Sequence, residues 1–375
     1  MEQRGGPVEE LVAPEASFWA DKQVLITGHT GFKGGWLALW LRRLGARVSG
    51  FALPADRQSF FAAAGIEALT DTLYGDIREA AVVEQATHRF APEIVFHLAA
   101  QSLVRPSYVD PVETYATNVM GTVNTLAAAS RTSSIRAVVV VTSDKCYENR
   151  EVDVAYREDD PLGGYDPYSS SKACAELVTA AWRQSFSGAG RDCPLGIASA
   201  RAGNVIGGGD WAEDRLVPDC MRSLTVGEVI GIRSPNAIRP WQHVLEPLCG
   251  YLLLAERLWS DPHTYAEAWN FGPAPNDVHP VSWVVSRIVE LWGEGASWRN
   301  TAGDARHEAA LLNVDSAKSR SRLGWSPRLR LDTALDWTVE WYKNVARDGS
   351  ARQISEDQIA RFASISRNPG GQNLA

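Results

Sequence analysis

The sequence predicts an α/β fold, a doubly wound parallel sheet of the Rossmann type with a smaller α+β lobe added to it. Three observations lead there. Between Asp21 and Arg201, short β-branched runs alternate with helical stretches. The runs are apolar almost throughout, as strands covered on both faces must be. A glycine-rich turn joins the first strand to the first helix, the place where such sheets cradle phosphate.

Gln23 to Thr27 reads as the first strand and Phe32 to Leu44 as an apolar helix behind the glycines. Arg47 to Ala52 is the second strand. A short third run, Thr72 to Tyr74, ends at Gly75-Asp76. Glu79 to Phe90 follows as a helix and Glu93 to His97 as a strand, His97 being a structural residue at its end. Val112 to Arg131 has the length of one long helix. Arg136 to Thr142 (RAVVVVT) is the clearest buried strand, Pro167 to Gln184 a second long helix, and Leu195 to Arg201 a further strand. Beyond Gly203 the rhythm breaks, with three consecutive glycines at 207–209 and prolines scattered through short mixed elements. The nucleotide-binding domain is therefore expected over 17–202, with 239–272 returning to it, and the second lobe mainly over 203–348. Residues 1–16 and 349–375 are polar and read as flexible tails, the second with some helix around Glu356 to Ala363.

Composition narrows the function. The 375 residues carry 37 Lys and Arg against 45 Asp and Glu, a net charge of −8. That balance disfavours a nucleic-acid binder, which needs excess cations to neutralise phosphates, and also a membrane-surface protein. No apolar run approaches the ~18–20 residues of a membrane helix, and the first 16 residues lack the apolar stretch of a signal peptide. Cys146, Cys174, Cys193, Cys220 and Cys249 form no CxxC pair. They fit free thiols in a reducing cytoplasm, and no metal site is expected.

Two motifs and a triplet carry the chemistry. Gly28, Gly31 and Gly34 follow the first strand in a GxxGxxG pattern that also holds Thr30, Phe32 and Lys33. Glycine permits the tight turn and lets a pyrophosphate reach the open N–H groups of the helix. Lys33 is not followed by Ser or Thr, so this is no P-loop. The acidic residue that usually ends the second strand and selects NAD is missing. Asp56 and Arg57 come slightly later and point towards NAD and NADP respectively, so the motif alone leaves the choice open. Tyr168 and Lys172 form YxxxK within a helix, where a spacing of four places both on one face. A phenol of pKa ~10 becomes a usable base when cations stand beside it. Ser143-Asp144-Lys145 sits just past a strand's carboxyl end, where open parallel sheets bind ligands.

Together these elements resemble the extended short-chain dehydrogenase/reductase (SDR) superfamily over Phe18 to Trp341. The strings at 27–34, 97–105, 142–151, 163–177, 201–215 and 238–251 are similar to its sugar-nucleotide 4,6-dehydratases, in particular to the branch acting on CDP-glucose. The resemblance implies a lyase with a tightly held NAD recycled each turnover, and a homodimer pairing the two long helices through residues such as Val119, Val123, Leu126, Leu177 and Val178. It implies C4 oxidation by Tyr168 with Lys172, loss of water across C5 and C6, and hydride return to C6. Ser143 matches the residue bonding the C4 oxygen and Asp144 the acid for the C6 hydroxyl. Asp76 and Ile77 match the adenine site, Ala99 and Ala100 the ribose wall, and Asn204, Arg215 and Arg239 the contacts to the substrate nucleotide. His243 and Trp241 stand beside Arg239 and are expected to line the same pocket, and Arg306 to Ala309 resembles a further substrate-side loop. Other dehydratases carry glutamate where this chain has Lys145, which could act as the C5 base or stabilise the enolate. An epimerase, a dehydratase of another NDP-hexose, or a non-catalytic dinucleotide-binding regulator are the competing readings.

Overall fold

The computed structural model describes residues 12–150, 154–186, 194–293, 295–301 and 312–365. A seven-stranded sheet forms the centre: β1 (Gln23–Thr27), β2 (Arg47–Ala52), β3 (Asp71–Tyr74), β4 (Ile94–His97), β5 (Ala137–Val141), β6 (Gly196–Ala202) and β7 (Ala268–Phe271). Their order is β7-β6-β5-β4-β1-β2-β3, and every neighbouring pair is parallel. The order reverses between β1 and β4, and that switch point opens the crevice in which this class of sheet holds a ligand.

The apolar strands divide their side chains between two cores, as a period of two requires. On β5, Ala137, Val139 and Val141 join one core while Val138 and Val140 join the other. The first core takes helix α1 (Phe32–Arg43), and the second takes α2 (Ala80–Phe90). The long helix expected over Val112 to Arg131 runs without a gap and carries a π-helical turn inside it: α3 (Pro111–Tyr115), the turn (Ala116–Met120) and α4 (Gly121–Arg131). Pro111 starts α3, and the Asp110 carboxylate caps it by accepting from the Glu113 N–H. Gly121 sits where an added Cβ would come within 2.8 Å of Ile77, so the helix passes close under the β3–α2 loop. Helix α5 (Pro167–Phe186) packs beside α3 and α4.

After β6 come α6 (Leu216–Thr225), α7 (Leu245–Ser260), α8 (Val281–Trp292) and α9 (Leu331–Ala346), with two-stranded pairs between them; α6, α8 and α9 belong to the second lobe. Segment 239–272 contains α7, which packs on β5 and β6, and β7, the edge strand of the main sheet. The expected tail after Gly349 is corrected by α10 (Ala351–Ser364). Ala351, Ile354, Ile359 and Phe362 fall on one face and bury it in the core against α1, with Phe362 edge-on to Trp40. The start of the chain is likewise tied down from Val12, since Trp19 is fully buried and its indole donates to Glu256. Residues 1–11 and 366–375 lie outside the described residues.

Candidate active site

The carboxyl ends of β1, β2, β4, β5 and β6 open into one cavity of about 1250 Å³, closed on the far side by the second lobe. The β1–α1 turn forms its inner wall. Gly28 has φ +78°, and a Cβ there would lie 2.7 Å from the Ala99 N; one on Gly34 would lie 2.2 Å from the Gly28 oxygen. Only glycine fits either position, and the result is a backbone trough at the α1 N-terminus. Gly31 caps α1 without a side-chain bond, leaving the first N–H groups directed at the trough. Phe32 lines it, and the Thr30 hydroxyl donates to the Leu53 oxygen, tying the turn to β2. Lys33 points inward, within 3.4 Å of the Tyr251 hydroxyl, and burial pushes its pKa down to about 7. At the trough's far end stand Asp76 and Ile77, with Ala99 and Ala100 alongside. Arg78 grips the Asp76 carboxylate with its Nε and Nη2, holding its pKa low. An open helix N-terminus, a groove that any Cβ would fill and a carboxylate at the end suit a dinucleotide. Neither Asp56 nor Arg57 lines the cavity among the described residues.

The reactive cluster lies beyond the trough. Ser143 follows β5 in extended conformation, and its hydroxyl accepts from the Lys145 N–H, so the three residues after it wind into a 3₁₀ turn. This folds Asp144 inward. Its Oδ1 accepts from the Ser143 hydroxyl at 3.0 Å and lies 3.7 Å from the Lys145 ammonium. The other oxygen, Oδ2, is buried without a hydrogen-bond partner, and only the missing side chain of Gly203 leaves it room, since a Cβ there would lie 2.7 Å away. Tyr168 and Lys172 occupy adjacent turns of α5 and face the same space. Burial pushes the phenol up to about 12, against a hydrogen bond from Ser143 and the charge of Arg215. Burial also brings Lys172 down to about 8, and its ammonium donates to the Val141 oxygen at 3.3 Å.

Asn204, Arg215 and Arg239 line the lobe side. Arg215 donates to Asp210 and to Ser102, both at 3.0 Å, and so reaches across the cleft to the loop after β4. Arg105 and Arg233 line the same wall and both pair with Asp214; neither was singled out from sequence. His243 does not belong to the cavity. It is fully buried between Trp36 and Trp337, with burial holding it neutral at a pKa of about 3. Trp241, two residues away, does reach the wall. The chain turns inward between the two, so proximity to Arg239 in sequence misplaced His243. Arg306 to Ala309 lie outside the described residues. His97 sits in the sheet, bonded to Thr27 and Thr122.

A model of the NAD dependent epimerase/dehydratase family matches residues 24–272. The chain belongs to that family. A CDP-glucose 4,6-dehydratase from Salmonella typhimurium is 48% identical over 353 residues, covering 93% of this chain and 98% of that protein. A dTDP-glucose 4,6-dehydratase from Haemophilus influenzae is 24% identical, covering 85% and 97%. Among solved structures, DesIV of Streptomyces venezuelae, a dTDP-glucose 4,6-dehydratase with NAD and TYD bound, superposes with a TM-score of 0.73 at 22% identity over 87% of this chain and 98% of that one. The likeness in structure is one of fold, extended SDR in type. As a family member the chain takes NAD. No helix among the described residues is long and apolar enough to cross a membrane.

Proposed function

We propose that this protein is a lyase that dehydrates CDP-glucose to CDP-4-keto-6-deoxyglucose. The observation that carries the proposal is the joint placement of two chemistries at one cavity, Tyr168 with Ser143 and, one residue on, Asp144 with a buried oxygen that no hydrogen bond satisfies. An epimerase cycle, which keeps the C6 hydroxyl, has no use for the second. The CDP-glucose substrate rests on the 48% identity to the Salmonella enzyme, which exceeds the 24–28% seen with dTDP-glucose dehydratases.

When bound, NAD supplies a hydride acceptor for C4, a donor for C6, and a positive ring that lowers the phenol's pKa. Tyr168 takes the C4 hydroxyl proton, with Ser143 donating to the same oxygen and Lys172 keeping positive charge nearby. The 4-ketone acidifies the hydrogen on C5. Asp144 acts as the general acid for the departing C6 oxygen, and Lys145 either receives the C5 proton or neutralises the enolate while another base takes that proton. Arg215 and Arg239 hold the diphosphate through charge-assisted bonds, with Asn204 beside them. The test is incubation with CDP-, dTDP-, GDP- and UDP-hexoses followed by mass spectrometry. Loss of one water from CDP-glucose first and fastest supports the proposal; dehydration of another nucleotide sugar in preference, or epimerisation without water loss, refutes it.

The working form is a homodimer in a reducing cytoplasm. Val112, Met120 and Leu177 are exposed at 78%, 50% and 58% on the α3–α4 segment and the neighbouring α5, and Val109, at 80%, ends the short helix Val104–Val109 just before α3. Such grouped apolar exposure marks a protein contact. Leu126 and Val178, expected at that contact, instead pack in the core under the sheet. Light scattering at micromolar concentration should give twice the 41.0 kDa chain mass, and a monomer mass would contradict the pairing.

A further inference from the structure

Thr142 just past β5, Ser199 and Arg201 on β6 and Asn270 on β7 stand together on adjacent strands. Glu176, one turn after Lys172 on α5, projects into this polar group. Its Oε1 accepts from Thr142, and its Oε2 accepts from Ser199 at 2.7 Å and from the Arg201 guanidinium at 2.8 Å. Both charged side chains are 2–3% exposed. Arg201 continues outward and donates to the Tyr147 hydroxyl at 2.8 Å. That hydroxyl donates in turn to Asn270 Oδ1 at 2.7 Å, and the Asn270 amide holds the Tyr156 and Asp315 carbonyls.

A buried ion pair is a poor stabiliser, because apolar side chains of the same volume would serve as well. What this one provides is geometry. Thr142 precedes Ser143, and Tyr147 ends the turn that carries Asp144 and Lys145, so the pair grips that turn at both ends and fastens it to the helix bearing Tyr168 and Lys172. Burial works against the Glu176 charge, but Arg201 and the hydroxyl donors outweigh it and keep the carboxylate ionised.

Resting on the dehydratase reading above, we infer that Glu176, Arg201 and Tyr147 form a positioning relay that holds the elimination turn against the oxidation helix, with the Tyr147 hydroxyl serving the elimination step alone. Glu176 and Arg201 lie outside the cavity lining, and the Tyr147 hydroxyl is taken up by Arg201 and Asn270. The sequence carried a trace of it: Glu176 continues the Tyr168–Lys172 face at a further spacing of four.

Tyr147→Phe removes one hydroxyl and preserves the ring stacked on Tyr156. With CDP-glucose, rapid mixing should show nicotinamide reduction within about twofold of the unaltered rate and an unchanged KM. Water loss and exchange of the C5 hydrogen with deuterated solvent should fall about 10- to 100-fold, the cost of a misplaced reacting group. Glu176→Gln, which keeps shape and loses charge, should slow both steps, since it touches both arms. Equal slowing of the two steps in Tyr147→Phe, or no change in either, overturns the relay, as does an unimpaired Glu176→Gln. Thermal unfolding of each variant separates these results from simple loss of fold. The unaltered enzyme run in parallel tests the dehydratase reading itself: if it releases no water from CDP-glucose, that reading fails independently of the relay.

Discussion

Tyr168 and Lys145 stand within one cavity, and the different steps proposed for them should be separable by single substitutions. Tyr168→Phe leaves no base for the C4 hydroxyl, so no reduced nicotinamide should appear on mixing with substrate, and the loss should be ~10²–10⁴-fold or more. Lys145→Met should still form the 4-ketone but lose exchange of the C5 hydrogen with deuterated water; exchange at the unaltered rate would remove Lys145 from that step. These residues were legible because their chemistry is local in sequence: YxxxK on a helix, a polar triplet closing an apolar strand, glycines at a strand–helix turn. Gly203 was not legible as a site residue. Its role is to leave space for the Asp144 carboxylate, 59 positions away in the chain, and no spacing rule reaches that far. Arg105 and Arg233 were missed for the same reason, since only folding brings both to Asp214.

Single elements show how the lobe is held over the cavity. Helix α7 carries Glu246, whose Oε1 accepts from the Arg328 and Leu329 N–H groups and so pins the approach to α9. Burial pushes this carboxyl up to about 8. The folded pKa thus lies above the unfolded value of ~4.5, and the native state binds the extra proton between them. Stability from this group is complete below about pH 4.5 and is lost as pH rises through 8. Denaturant unfolding should therefore show a decline between about pH 5 and 8 that Glu246→Gln flattens by an amount on the order of a few kcal/mol; an unchanged pH slope would contradict it. Helix α10 makes the second case. Phe362→Ala removes a fully buried ring packed on Trp40 and should cost ~3–5 kcal/mol in the same measurement, whereas a frayed tail would lose nothing. The sequence around α10 looked like a tail because its polar and charged residues dominate the composition, while the four apolar positions that dock it are spread over twelve residues. The π turn between α3 and α4 was equally hidden, because no proline marks it and the backbone stays right-handed helical through it.

At the scale of the molecule, the alternation of strands and helices along the chain made the sheet, its direction and its ligand-bearing end readable from the sequence. The lobe was harder, since its strands are two or three residues long and its identity lies in contacts across the cleft, such as Arg215 to Ser102. The whole fold brings Tyr168 from α5 and Asp144 from the turn after β5 into one cavity with the glycine trough. The claim that this cavity both oxidises and eliminates is tested most directly by rapid-mixing absorbance of Asp144→Asn with CDP-glucose. Removing the acid should leave C4 oxidation largely intact and slow water loss ~10²–10⁴-fold, so reduced nicotinamide should accumulate beside a 4-keto sugar that retains its C6 hydroxyl. Turnover near the unaltered rate, or the absence of any reduced nicotinamide, would contradict the account.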